Sequence, residues 1–350
     1  MKINIRTVFK TENCGSYLQA WALKEQLSSM GHEVFFSDYK SATTTKSKLI
    51  NILKCYIKLN FKRGNSLFKK TLAFNKERKA FAISKNGNDC DLCFFGSDTL
   101  WNFEDKFFVK NVPFFTGEDV IKPCYTYSMS IGSTGREDFI NNERAVSNIQ
   151  KFKKLAVRDD HTKNVLSEIY PVDNIVKTVD PTMLLDKEVY IKKFTTKNKI
   201  TGKYLLVYYF GDMTNDLWTE LRSFADKNSL KIVNVGFYDN RFDINLPFAP
   251  KNFITAFIDA DYVFTNTFHG CIFSTIFNKQ FATNGIHKKK IESLLNEFSL
   301  NSRIATIPKD LERVFMDKVD YETINTLIQE KRNKSIEYLN EAIKEVNCNE

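Results

Sequence analysis

Residues 3–36 read INIRTVFKTENCGSYLQAWALKEQLSSMGHEVFF, and this stretch decides the fold. Residues 3–9 read as a short strand. Residues 10–16 are a polar loop containing Gly15. From 17 to 30, Leu18, Ala22, Leu23, Leu27 and Met30 fall near one face of a helix. Gly31 and His32 end that helix, and residues 33–36 open a second strand. Strand, loop, helix, strand is the repeating unit of a Rossmann-like parallel sheet.

The same rhythm continues outward. Residues 92–95, 125–131, 155–157 and 175–179 are expected strands, with helical stretches at 136–152 and 162–169. Residues 46–84 are basic, apolar and expected to be helical, an insertion wrapping the first domain. Their charge suits a membrane-surface or partner-binding role, or else a solvated helical face. Residues 180–186 and 187–201 read as a boundary and linker. Strands are then expected at 204–209, 231–235, 262–265 and 280–283, with helices at 214–228, 252–260 and 268–277. A last helix, 321–346, is long enough to pack across both halves. The expected organisation is an α/β chain with an N-terminal Rossmann-like domain (1–186), a C-terminal one (187–320) and a crossing helix (321–350). Two such halves facing a cleft make a GT-B-like fold, whose ligands sit at the carboxyl ends of strands.

Bulk properties narrow the function. A chain of 350 residues suits two domains. The net charge of +9 favours acidic partners: phosphates, anionic sugars or an anionic membrane face. The Lys and Arg residues are scattered, densest at 151–154 and 288–290, and no nucleic-acid motif accompanies them. The 31 Phe and 14 Tyr supply an aromatic core and could line a sugar-binding cleft. Seven irregularly spaced Cys residues make no disulfide framework, which points to a reducing cytosol. Cys90 and Cys93 form a CxxC that leads into an expected strand, with no second CxxC and no nearby His, so ordinary buried cysteines are expected and no metal. No apolar signal core opens the chain and no apolar run reaches membrane-span length, so a cytoplasmic protein is expected, at most peripheral to the membrane. GxGxxG, Walker, HExxH and GxSxG motifs are all absent.

Polar residues at strand ends are the remaining candidates. Asn13, Gly15 and Ser16 lie between the first strand and helix, where Gly15 permits close backbone approach and the helix N-terminus favours an anion; a plain turn and N-cap is the simpler reading. Ser97 and Asp98 follow the 92–95 strand with Trp101 just beyond. A carboxylate beside an aromatic platform suits sugar binding, and Asp98 is a candidate general base, or simply a capping residue. Ser128, Ser130, Gly132 and Ser133 end the next strand and could bind a phosphate or sugar. Arg158 emerges from an apolar strand, which is costly unless it meets an anion, with Asp159 as the nearest candidate partner. His269 sits at an expected strand–helix junction, as a core histidine or as a donor to a bound phosphate and a proton source for a leaving group.

Taken together, these segments resemble the polysaccharide pyruvyl transferase family. The matching pieces run in order: NCGSYLQAWAL (13–23) with GHEV (31–34) and Asp38-Tyr39, FGSDTLWN (95–102), YSMSIG (127–132), VRD (157–159), VDPTMLLD (179–186) and residues 260–277. Residues 46–84 and the C-terminal tail carry little of the likeness. The resemblance implies a GT-B-like fold and transfer of the enolpyruvyl unit of phosphoenolpyruvate onto a sugar as a pyruvate ketal, with phosphate released and no cofactor. It further implies that Arg158 holds the donor's carboxylate or phosphate and that His269 contacts the donor as general acid. Phe268, Gly270, Thr267, Ser274, Ser128 and Gly132 would complete the donor side. Asn13, Gly15, Ser16, Ser97, Asp98 and Trp101 would form the acceptor side, with Asp98 as base. Many members carry Arg-Leu-His-Gly where this chain has Thr267-Phe268-His269-Gly270, so Thr267, Ser274 or a distant Lys must replace that arginine, or the donor differs. The expected acceptor is a lipid-linked surface-polysaccharide precursor. A GT-B glycosyltransferase using a nucleotide-sugar is the alternative, and a non-catalytic glycan-binding protein a third.

Overall fold

The computed structural model describes residues 1–41, 44–196, 200–285 and 288–348. Of the expected linker, residues 197–199 lie outside the described residues, as do 349–350 of the C-terminal segment.

Two five-stranded sheets, all parallel, organise the chain. The first has the order β3-β2-β1-β4-β5, from β1 (Lys2–Arg6), β2 (Glu33–Ser37), β3 (Ile83–Ser84), β4 (Leu92–Phe95) and β5 (Cys124–Thr126). A two-stranded pair, β6 (Leu155–Val157) and β7 (Ile175–Lys177), prolongs it through the single bridges Tyr125–Lys154 and Met129–Val157. The second sheet has the order β10-β9-β8-β11-β12, from β8 (Tyr204–Tyr208), β9 (Lys231–Val235), β10 (Ile244–Leu246), β11 (Tyr262–Thr265) and β12 (Gln280–Thr283). Every residue of β4 and β8 is buried, as expected for parallel strands covered by helices on both faces.

Several elements differ from the sequence reading for identifiable reasons. The first helix spans Cys14–Ser29, three residues earlier than expected, because Asn13 caps it: its Oδ1 accepts from the amides of Gly15 (2.9 Å) and Ser16 (3.4 Å). The strand expected at 125–131 stops at Thr126, and Ser128 takes a left-handed φ of 50° that breaks the pleat. Residues 136–152 hold two short helices, Arg136–Ile140 and Glu143–Ile149, the second capped by Asn142. The insertion is a hairpin of helices Thr45–Ile57 and Phe61–Glu77, and its tail supplies edge strand β3. Nor does it only wrap the first half. The Phe74 ring lies 6.2 Å from that of Phe248, and Lys70 lies 5.0 and 4.9 Å from the Phe237 and Phe248 rings of the second half.

The passage between the sheets is not a bare linker. Lys187–Phe194 is a helix whose Phe194 and Tyr190 pack on Trp21 at 4.7 and 5.6 Å, while Tyr190 also meets Phe273 at 5.5 Å. A second set of aromatic contacts thus joins the two halves. The Tyr321–Asn347 helix then crosses them. Its Tyr321 hydroxyl donates to the Lys279 carbonyl and Lys331 pairs with Glu297 at 3.0 Å. Further along, Arg332 donates to the Met183 carbonyl (2.7 Å), Ser335 accepts from the Val179 amide (3.0 Å) and Tyr338 donates to the Thr126 carbonyl (2.8 Å). No helix among the described residues is long and apolar enough to cross a membrane.

Candidate active site

The carboxyl ends of strands from both sheets converge on a cavity of about 230 Å³. The first half contributes Asn13 and Ser16 from the capped start of the Cys14–Ser29 helix, Asp98 from the loop after β4, and Arg158 from the end of β6. Asp98 holds a positive φ of 80°; its Oδ2 accepts from the Ser16 hydroxyl at 2.7 Å and its Oδ1 from the Thr99 amide at 2.8 Å. The second half contributes Thr267, Phe268 and His269. Thr267 caps the Phe268–Ile276 helix, its Oγ1 accepting from the Gly270 amide at 3.0 Å. His269 therefore projects from the first turn of that helix.

Gly15 makes the close approach that its position suggested, but to a side chain. A Cβ there would overlap the His269 imidazole, so glycine is what lets the first helix close on the histidine of the other half. Gly270 is constrained likewise: a Cβ would strike the hydroxyls of Thr265 and Thr267.

Arg158 is buried, and its anion is not Asp159. Nη1 donates to Asp180 Oδ2 at 3.1 Å, a pair almost wholly removed from solvent. Asp159 instead caps the Asp160–Leu166 helix, accepting from the Thr162 amide (2.8 Å), the Thr162 hydroxyl (2.7 Å) and the Ser130 hydroxyl (2.7 Å). The guanidinium lies 4.5 Å from the Phe268 ring centroid. Its Nε and Nη2, and Nε2 of His269, are buried without a hydrogen-bond partner among the described residues. Such unsatisfied groups are expensive unless something binds there.

The electrostatics are mixed. Burial would raise the Asp98 carboxyl, but Arg158, His269, the Ser16 hydroxyl and Lys290 together hold it below the ordinary carboxylate range. Burial lowers His269 and outweighs the opposing pull of Asp180 and Asp98, with Arg158 and Lys290 acting in the same sense as burial. The His269 ring nitrogen and Asp180 Oδ2 are 3.7 Å apart, too far for a hydrogen bond. Lys288 and Lys290 reach the same cavity from the segment after β12, and burial lowers both ammonium groups.

Not every expected residue is there. Trp101 is no sugar platform: it is fully buried, donates from Nε1 to the Phe115 carbonyl at 2.8 Å and packs on Phe152 and Phe139. Ser274 faces its own helix, donating to the Gly270 carbonyl at 2.8 Å, and does not line the cavity. Ser97 lies beneath the site, fully buried, its hydroxyl accepting from the Asp98 amide at 2.6 Å and lying 3.4 Å from Arg158 Nη1 and Asp180 Oδ2. Ser128 is buried with a hydroxyl unpartnered among the described residues, and its neighbour Met129 bridges to Asp98 and Val157. Gly132 lines an adjoining cavity of about 280 Å³ that shares Lys288 and Lys290. Sequence alone does not single out Asp180, Lys288 or Lys290, which the fold brings to the site. The Asp-Pro pair after an expected strand, and the basic run at 288–290, were the signals available.

Two Rossmann-like halves with a site at their seam define the GT-B class, and solved structures agree. UDP-GlcNAc 2-epimerase from Neisseria meningitidis, bound to UDP-GlcNAc, superposes with a TM-score of 0.55 at 10% identity, over 99% of this chain and 100% of that one. The Methanocaldococcus jannaschii enzyme of the same name gives 0.52 at 10% identity, over 91% and 93%. An α-glucosyltransferase in complex with UDP and DNA gives 0.50 at 12% identity, over 97% and 95%. At such identities the likeness concerns the fold alone. No curated protein matches the chain. The polysaccharide pyruvyl transferase family model matches residues 13–283, and the chain belongs to that family.

Proposed function

We propose that this protein moves the enolpyruvyl unit of phosphoenolpyruvate onto two hydroxyls of one sugar in a polysaccharide precursor, forming a ketal and releasing phosphate. The observation that carries the reading is Arg158: a buried guanidinium anchored through Nη1 to Asp180, with Nε and Nη2 unpartnered among the described residues, in a side chain that lines a small cavity together with Lys288, Lys290 and His269. A small ligand bearing both a carboxylate and a phosphate suits that set of cations. Lys290 and Lys288 take the place of the arginine that this chain lacks at Thr267.

The proton ledger is simple. The donor's methylene carbon gains a proton and becomes methyl, the first hydroxyl adds to the resulting oxocarbenium-like carbon, phosphate leaves, and the second hydroxyl closes the ketal. The two hydroxyl protons end on the methyl group and on phosphate. Burial holds His269 below its ordinary imidazole range, which favours the neutral ring near neutral pH. A phosphate dianion beside it raises its proton affinity, which makes it the general acid only once donor is bound. Asp98, held low, is a weak base. Its work is to hold negative charge near the oxocarbenium centre, with Ser16, and to accept a hydroxyl proton as that oxygen becomes acidic on attack. A lipid-linked acceptor and a cytoplasmic location, where such a donor is made, complete the proposal.

The test is phosphate release from phosphoenolpyruvate that depends on a glycan acceptor, with product mass confirming the ketal. Thermal stabilisation by nucleotide-sugars but not by phosphoenolpyruvate would sink the reading in favour of glycosyl transfer.

A further inference from the structure

We propose that the hairpin of helices Thr45–Ile57 and Phe61–Glu77 docks the protein on an anionic lipid surface. The docking does not depend on which donor the cavity takes. Its first ground is a pair of unpartnered apolar stripes. Leu49, Leu53 and Ile57 recur every fourth residue on one helix and are 55, 58 and 71% exposed. Phe61, Phe68 and Leu72 make the matching stripe on the other helix, at 53, 46 and 53%, and Leu59 at the turn is 75% exposed. Soluble surfaces seldom gather so many large apolar side chains in one place.

The second ground is charge. The chain has 51 basic and 42 acidic residues, and residues 45–76 hold nine of the basic and none of the acidic. With Glu77 at its end the hairpin carries +8 of the chain's net +9, and the rest of the chain, with 42 basic and 41 acidic residues, carries +1. Lys54, Lys58, Lys62 and Lys69 are exposed beside the stripes. Apolar side chains ringed by lysine complement an anionic interface, where the stripes enter the acyl boundary and the ammonium groups stay at the headgroups. A second copy of the same hairpin is the wrong partner, because face-to-face pairing would set nine positive charges against nine.

The opposite side of the hairpin is committed to the protein. Lys48 pairs with Glu12 at 2.7 Å, Phe74 is buried, and Ile52, Leu67 and Lys70 roof a cavity of about 590 Å³. That cavity reaches Asn13, which also lines the His269 cavity. A docked hairpin thus holds an approach to the candidate site against the bilayer, where a lipid-linked sugar would be presented; this last consequence, unlike the docking, rests on the transfer reading.

The experiment is flotation of the full chain with vesicles of phosphatidylcholine alone or mixed with phosphatidylglycerol. The protein should float with the mixed vesicles only, and lose that binding in high salt. Combined Lys54→Glu, Lys58→Glu and Lys62→Glu should lower partitioning roughly a hundredfold. Combined Leu53→Ser, Ile57→Ser and Leu59→Ser should lower it at least about tenfold, with melting temperature unchanged in both because every altered side chain is exposed. Failure of the parent protein to float, or equal flotation of the apolar triple variant, overturns the proposal. So does a dimer in sedimentation velocity that the apolar triple variant dissociates while no vesicle binds, which would make the face a contact between copies.

Discussion

The Arg158 guanidinium lies 4.5 Å from the centre of the Phe268 ring, so an arginine of the first half is clasped by an aromatic side chain of the second. Asp180 holds the same guanidinium at 3.1 Å. Arg158→Ala would leave Asp180 as an uncompensated buried charge and should cost about 3–5 kcal/mol of stability. Arg158→Lys keeps the charge but loses the fork. It should stay folded and bind phosphoenolpyruvate about 1.5–3 kcal/mol more weakly. Melting curves and donor titration on the two variants separate the effects; unchanged donor affinity in Arg158→Lys would remove the guanidinium from the donor site.

Donor binding should take up a proton near neutral pH. Burial holds the free His269 below its ordinary value, and a bound phosphate dianion raises it. Between those two values the ring is neutral before binding and charged after it, so affinity should improve as pH falls through that window. Calorimetry in buffers of differing ionisation enthalpy measures the uptake. His269→Gln should abolish both the uptake and glycan-dependent phosphate release.

Gly15→Ala sets two effects against each other. In a helix, alanine is favoured by about 1 kcal/mol over glycine. Here the added methyl displaces the His269 ring. Activity should fall by at least an order of magnitude, corresponding to ~1.4 kcal/mol in the barrier, with little loss of melting temperature. Full activity in this variant would show that the ring position does not matter.

Lys290→Met and Thr267→Ala should behave differently. The first removes a cation from the cavity and should raise the donor KM while leaving stability nearly unchanged. The second removes a helix cap and should cost about 1 kcal/mol of stability, typical of such caps. A donor KM that Lys290→Met leaves unmoved would return the missing arginine to an open position.

Trp101→Ala should destabilise by about 3–5 kcal/mol, as for other large core side chains. Acceptor KM in the folded fraction should not change. A selective loss of acceptor binding would restore Trp101 to the sugar site.

The parallel sheets were legible because strands buried on both faces read as short apolar runs between helical periods, as at residues 92–95 and 204–208. Asn13 is a visible cap, but apolar periodicity starts only at Tyr17, so the polar first turn carries no periodic signal. Edge strand β10 (Ile244–Leu246) is only three residues long and partly exposed throughout, too short to show a period. Arg158 and His269 stood out as polar residues at apolar strand ends. Their partners did not, because partnership is set by the fold: Asp159 is adjacent in sequence, whereas Asp180 is adjacent in space. Trp101 is ambiguous in sequence for a related reason. An aromatic beside a carboxylate looks the same from sequence whether it faces a cleft or the core.

The hairpin's charge also bears on how the molecule behaves in bulk solution. Without residues 45–77 the remaining chain has 42 basic and 41 acidic residues and carries +1. A body so close to zero formal charge has little mutual repulsion to keep its copies apart, and near neutral pH such bodies associate and precipitate. The same two helices that offer an apolar stripe to a lipid surface therefore also supply the colloidal stability of the free protein. An anionic surface that neutralised them would let neighbouring copies crowd together on it.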